Sequence, residues 1–414
     1  MSSFKLITRR ELMARGLGLV GVGTVLPEFL VRTALAGPQA EPGQRVLVVL
    51  QFSGGHDALS ALVPYAHDAY HKARKATRIN EQEVLKLNNE LGLHPNLTGF
   101  KELLDEGAFA ALPGVGYPEP NYSHFTATDI WHTARYLARN EPYGWIGRAV
   151  DCGHQGNVDP TLSIAVGTGQ TPRVLLGREH PGIAFNRPES FAYTAARNDP
   201  RRAELYHRLN DHEESQAASN LSFISATAVH ASQSSEKIRK LATEYKPKAE
   251  YPRSPLGNNL RAISGLIAGG LSTRVFFTHT GGFDTHGGQR PRHDRLMADV
   301  NACVLAFQRD LARQGQAQRV LTMTTSEFGR RVMENGSQGT DHGAAAAQFM
   351  FGPGLKPGIH GAHPSLTDLQ GGGGGSLKHA TDFRSVYATV LEKWLGIPSQ
   401  PVLQEKFPLV DCIA

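Results

Sequence analysis

Residues Arg45-Val46-Leu47-Val48-Val49-Leu50-Gln51-Phe52 form a nearly unbroken apolar run that ends in Ser53-Gly54-Gly55-His56-Asp57. Continuous apolar character without alternation is the pattern of a strand buried on both faces of a parallel sheet. Two later runs repeat it, Arg274-Val275-Phe276-Phe277-Thr278 and Arg319-Val320-Leu321-Thr322-Met323-Thr324, each followed by polar, glycine-rich sequence. Between them Met297, Val300, Val304, Phe307 and Leu311 recur at helical spacing, so this piece reads strand, loop, helix, strand, a βαβ unit. Phe383, Val386, Val390, Leu391 and Trp394 predict a last helix that ends at Gly396-Ile397-Pro398. The expected fold class is α/β, a mostly parallel central sheet with helices on both faces and inserted segments.

The chain has 414 residues, 40% hydrophobic and 20% charged. That balance excludes a polytopic membrane protein and a wholly disordered chain. Of the net charge of +5, +3 falls within residues 1–36, and the remaining +2 provides no basic face for nucleic acid. Cys152, Cys303 and Cys412 lie far apart with no CxxC spacing, which argues against a disulfide framework and a thiolate zinc site. Thr8-Arg9-Arg10-Glu11-Leu12-Met13 precedes an apolar stretch from Gly16 to Leu30, which ends before Ala34-Leu35-Ala36. This is the pattern of a twin-arginine export signal over residues 1–36, with cleavage after Ala36. An uncleaved anchor or an ordinary amphipathic helix is the alternative. The stretch is about 15 residues against the roughly 20 that span a bilayer, so no stable membrane insertion is expected. The implied partner is the twin-arginine translocase during export, and the implied location is periplasmic or secreted. Residues 37–414 are expected to form a single domain in which the stretch from about 150 to 255, with a charged helical piece from Arg201 to Gln216, is a cap or insertion. Gly371 to Gly375 reads as a flexible loop and not a phosphate cradle, since no Lys-Ser/Thr or GxGxxG spacing accompanies it.

Ligands of open α/β sheets bind beyond the carboxyl ends of the strands. After the first strand, Asp57 can ligate a hard cation or cap a helix. The second delivers Thr278-His279-Thr280-Gly281-Gly282-Phe283-Asp284-Thr285-His286, with His293 and Asp294 following. Asp284 and His286 can direct two ligands at one ion, or be hydrogen-bonded loop residues. After the third come Ser326-Glu327-Phe328-Gly329-Arg330 and then Gly339-Thr340-Asp341-His342-Gly343. Asp341 and His342 can share a metal site if the backbone turns sharply, which the flanking glycines permit. Glu327 and Arg330 read as a further ligand and an anion clamp, or as an ordinary ion pair. In Tyr117-Pro118-Glu119-Pro120-Asn121-Tyr122-Ser123-His124-Phe125 the prolines hold the chain extended, and Ser123 stands where a helix begins. It is an N-cap or a nucleophile facing an anion, and His124 is the alternative chemical residue. No Gly-x-Ser-x-Gly elbow is present, which disfavours an α/β-hydrolase triad.

These pieces resemble, in this order, the bacterial family DUF1501. The matching motifs are Gln51 to Asp57 with Pro64-Tyr65, Ser123-His124-Phe125, Gly144-Trp145-Ile146-Gly147-Arg148, Phe283 to His286, Ser326 to Arg330, Thr340 to Gly343 and Asp382-Phe383-Arg384. The family is in turn similar to the alkaline phosphatase and sulfatase superfamily. That resemblance implies an alkaline-phosphatase-like fold and two divalent metal ions, Zn, Mn, Mg or Ca, held by Asp57, Asp284, His286, Asp341 and His342. Glu327 is a further ligand candidate. The last superfamily histidine has His379 and His363 as candidates. The implied activity is an exported metal-dependent hydrolase of a small anionic phosphate or sulfate ester, with Ser123 or His124 and Arg330 as its catalytic groups. A non-catalytic exported binding or scaffold protein that keeps the fold is the alternative.

Overall fold

The computed structural model describes residues 44–136, 141–154, 159–190, 237–371 and 375–414. The export signal, the piece from Arg201 to Gln216 and residues 372–374 lie outside them.

The three expected strands form and lie side by side. β1 (Val46–Phe52) is central. Further strands, in chain order, are β2 (Phe109–Gly116), β3 (Ser163–Val166), β4 (Ile183–Phe185), β5 (Val275–Thr280), β6 (Val320–Thr325), β7 (Gly329–Arg330), β8 (His342–Gly343), β9 (Ala346–Phe351), β10 (Gly358–Ile359) and β11 (Thr381–Asp382). All but β7 and β8 join one nine-stranded sheet in the order β10-β2-β9-β6-β1-β5-β3-β4, with β11 also on β2. β1 runs parallel to β5 and β6, whereas β9 runs antiparallel to both of its partners, β2 and β6. β7 and β8 form a separate antiparallel ladder that pairs Arg330 with His342.

The unbroken hydrophobicity of β1 has the expected cause, since all seven residues are buried. Val46, Val48, Leu50 and Phe52 face a core with Leu260 and Ile263 of α3 (Pro255–Ala268) and with Val300, Val304 and Phe307 of α4 (Gln289–Gln314). Leu47 and Val49 face the opposite core. That one holds Trp131 of α1 (His124–Thr133), Trp145 of α2 (Trp145–Gly153) and Phe383 and Tyr387 of α5 (Phe383–Thr389). Period-two side-chain alternation thus feeds two helical layers from one strand. The last predicted helix continues from α5 through a π-helical turn, Val390–Leu395, and Gly396 ends it at φ 69°.

Under the carboxyl edge of the sheet lies a buried ion pair. Arg74 and Asp57 are 0% and 1% exposed, and the guanidinium grips both carboxylate oxygens. The Ser60 hydroxyl and the Gln289 amide also donate to the Asp57 carboxylate, at 2.6 Å and 2.5 Å. Burial pushes the Asp57 carboxyl up, but the charge and hydrogen bonds of Arg74 hold it well below the usual carboxylate range. Removing one partner leaves an uncompensated buried charge, so Arg74→Met is expected to cost about 3–5 kcal/mol in urea unfolding at neutral pH. A loss below about 1 kcal/mol contradicts the assignment.

His293 of α4 is 1% exposed, and burial first, then the charge of His94, lower its pKa to about 3. Its unfolded value is 6.5, so between about 6.5 and 3 the unfolded chain takes up a proton that the fold refuses. Its unfavourable contribution is therefore absent above about 6.5 and grows as pH falls. His293→Phe is expected to flatten the decline of unfolding free energy with acidification in that window. An unchanged slope contradicts this.

Candidate metal centre

The loops after β1, β5 and β6 meet at one place because their strands are neighbours. Gly54 lies at φ +120°, and a Cβ there would collide with the backbone of Asp284, so only glycine lets the first two loops touch. The buried Arg330 guanidinium then ties them together. Its Nε donates to the Gly55 carbonyl at 2.8 Å, and one terminal nitrogen to the Thr340 carbonyl at 2.8 Å. The other donates to the carbonyls of Gly54 and of Phe283, the latter at 3.1 Å, and to Asp284 Oδ1 at 2.6 Å. Arg330 therefore takes the ion-pair role, with Asp284 and not Glu327 as its partner, and its donors are spent within the protein rather than on an anion. Burial alone would raise the Asp284 pKa, but Arg330, with His342 and His286, holds it at about 2.

Three imidazoles surround Asp284. His124 Nδ1 lies 2.8 Å from Glu327 Oε1, His286 Nδ1 lies 3.0 Å from Asp341 Oδ1, and His342 Nδ1 lies 2.8 Å from the Tyr122 carbonyl. A carbonyl or ionised carboxylate oxygen only accepts, so in the neutral rings each Nδ1 carries the proton and each Nε2 presents a lone pair. Those lone pairs converge. His286 Nε2 is 2.9 Å from His342 Nε2 and 3.0 Å from Asp284 Oδ1. His342 Nε2 is 3.3 Å from the same Oδ1, and His124 Nε2 is 3.6 Å from Asp284 Oδ2. Acceptors packed this closely repel one another unless a cation lies among them, so the donor set fits a metal ion. Among the described residues His124, Asp284 and His342 form a group whose ligand atoms all lie within 4.8 Å of one another. Histidine ligands held through their second nitrogen are the usual architecture of a metal centre.

Sequence-expected residues thus divide. The structure brings together Asp284, His286, His342 and His124. Asp341 and Glu327 stand one step back, orienting His286 and His124, and Glu327 also accepts from the Gly54 amide at 2.8 Å. Asp57 faces Arg74, Ser60 and Gln289, so its carboxylate is taken up inside the protein; it adopts neither the ligand role nor a side-chain helix cap. His379 lies against Gly116 of β2, and His363 beside the Pro364 carbonyl and the His67 ring; neither is in the group around Asp284. Ser123 occupies the N-cap position of α1, but its hydroxyl makes no capping bond and is exposed.

Sequence reading missed Gln289, Asn335 and Tyr122. Gln289 Oε1 accepts from the hydroxyls of Thr285 and Thr340, so one amide links the Asp284-His286 loop, the Asp341-His342 loop and Asp57. Asn335 donates to Asp341 Oδ1 and to the His286 carbonyl, both at 3.0 Å. A backbone carbonyl such as that of Tyr122 leaves no trace in sequence.

A large, mostly parallel sheet with a histidine and carboxylate cluster at the carboxyl ends of its central strands defines an α/β protein with a candidate metal centre. The chain belongs to the family described as protein of unknown function (DUF1501), whose match covers residues 44–402. No curated protein matches it. Among solved structures it is similar to the PsFucS1 sulfatase from Pseudoalteromonas sp., at 11% identity over 87% of this chain and 70% of that one, with a TM-score of 0.36. It is also similar to the C-terminal periplasmic domain of EcEptC from Escherichia coli in complex with Zn, at 10% identity over 76% of each chain and a TM-score of 0.33. The alkaline phosphatase from the Antarctic bacterium TAB5 aligns at 13% identity over 75% of this chain and 92% of that one, with a TM-score of 0.28.

Zinc titration of chelator-treated protein by calorimetry is expected to show one tight site that Asp284→Ala abolishes. Gln289→Leu should weaken it about 10- to 100-fold by loosening both loops. Equal affinity in all three proteins contradicts the assignment.

Proposed function

We propose that this is an exported, metal-dependent hydrolase of phosphate or sulfate esters. The carrying observation is the convergence of three imidazole Nε2 atoms on Asp284, directly beside a helix start whose serine hydroxyl is free. Export rests on the twin-arginine pattern of residues 1–36. Among the described residues no helix is long and apolar enough to cross a membrane.

His124, Asp284, His286 and His342 would hold the ion. Three nitrogens and one carboxylate suit zinc better than magnesium or calcium, which prefer all-oxygen shells. When bound, a divalent ion there supplies Lewis-acid polarisation of an ester oxygen and a lowered pKa for a neighbouring hydroxyl. The chain's own groups do the rest. The start of α1, with no side-chain cap, offers its first backbone N–H groups and the positive end of its dipole to an anion. Ser123 Oγ attacks phosphorus or sulfur, the bond to the alcohol oxygen breaks, and the alcohol leaves carrying the proton that the serine hydroxyl gives up. Water then cleaves the serine ester, restoring the hydroxyl and releasing sulfate, phosphate or, from a diester, a phosphate monoester. Glu327 and Asp341 hold their imidazoles in the tautomer that keeps Nε2 free.

Metal-loaded protein tested on phosphate mono- and diesters and aryl sulfates is expected to turn over at least one, and Ser123→Ala to lower that rate by more than about a hundredfold. Turnover indifferent to Ser123→Ala removes the serine as nucleophile. Metal bound with no turnover on any ester favours the scaffold alternative.

A further inference from the structure

One strand over from the β5 loop lies a second recess. A cavity of about 680 Å³ opens beyond the carboxyl ends of β3 and β4, against the first turns of α3. Its floor is Gly167, at φ +85°, where a Cβ would collide with the Asn259 amide. Asn259 in turn donates to Thr278 Oγ1 of β5 at 3.2 Å, so the floor is fixed to the strand that leads to Asp284.

Among the described lining residues, Arg253 and Arg261 contribute guanidiniums and Glu189 a carboxylate, while Arg187 has an interaction of its own. Arg253 and Arg261 make no hydrogen bond or ion pair with any described residue, whereas the arginines of the metal centre and of the Asp57 pair are fully engaged. Asn186 and Asn258 add amides that both donate and accept. Guanidinium forks match tetrahedral oxyanions, and amides match hydroxyls. The volume falls in the range of small-ligand sites, about 300–1,000 Å³.

We infer that this cavity is a second oxyanion site, independent of metal, that takes a sugar-sized polyol bearing a phosphate or sulfate monoester, with Arg253 and Arg261 on the oxyanion and the asparagines on the hydroxyls. It stands whether or not the histidine cluster hydrolyses esters, because none of its residues belongs to that cluster.

The test is calorimetry on chelator-treated full chain with glucose 6-phosphate, glucose 6-sulfate and glucose as probes. At least one anionic sugar should bind, more weakly as salt rises, and glucose should bind at least tenfold more weakly. Arg253→Ala/Arg261→Ala should reduce anion binding at least tenfold, with Asp284→Ala neutral. If the alanine double variant melts at a lower temperature, Arg253→Gln/Arg261→Gln replaces it in the comparison. Binding of only one anion supports the site and identifies its ester. Absence of binding by both anions, or binding unchanged in the double variant, overturns the inference. Loss of binding with Asp284→Ala overturns it too, since the anion then sits at the histidine cluster.

Discussion

The buried Arg330 guanidinium is the contact on which the centre depends. A charged group 1% exposed is tolerable only if its donors are satisfied, and here backbone carbonyls of Gly54, Gly55, Phe283 and Thr340 and the Asp284 carboxylate satisfy them. Those acceptors lie on three separate loops. Each loop brings something different: the first a glycine turn, the second Asp284 and His286, the third Asp341 and His342. A common donor removes freedom that each loop would otherwise keep, and so lowers the ordering entropy left to the side chains they carry. With it they form a rigid cup whose floor is the sheet edge.

A second layer beneath it works in the same manner. The Asp57 carboxylate is shared by Arg74, Ser60 and Gln289, and Gln289 passes that order to Thr285 and Thr340, which stand next to the ligands. The deepest charges thus position the shallowest ones. Glu327, buried at 3% exposure, holds His124, whose own exposure is 35%, while Asp284, His286 and Asp341 are about half exposed. The centre is stiff below and open above, which suits a site that admits a ligand from solvent.

Much of this was legible in the amino-acid sequence, for identifiable reasons. Uninterrupted apolar runs exposed the three central strands because burial on both faces forbids alternation. Crowded aspartates and histidines between glycines exposed the ligand loops because turns alone do not need them. Asp57 was read less well, since the pattern of an aspartate after a strand does not say that Arg74, 17 positions later, will fold back onto it. Glu327 and Arg330 looked like each other's partners at a spacing of three. In fact Glu327 holds His124 and Arg330 pairs with Asp284, and the two meet only through the Gly54 backbone. His363 and His379 carried the right chemistry, but nothing in one dimension indicates that they fall outside the group around Asp284.

β9 runs against the direction of both its neighbours, and this has a geometric consequence. A strand laid in backwards begins at the rim where the others finish, so His342 reaches the cup on the way into the sheet and not on the way out. It is pinned on one side by its ladder with Arg330 and on the other by β9 itself. The excursion between Val332 and Gly339 therefore hangs from two fixed posts. Within it Asn335 reaches back to Asp341 and to the His286 carbonyl, so the excursion is itself part of what holds the imidazoles in place.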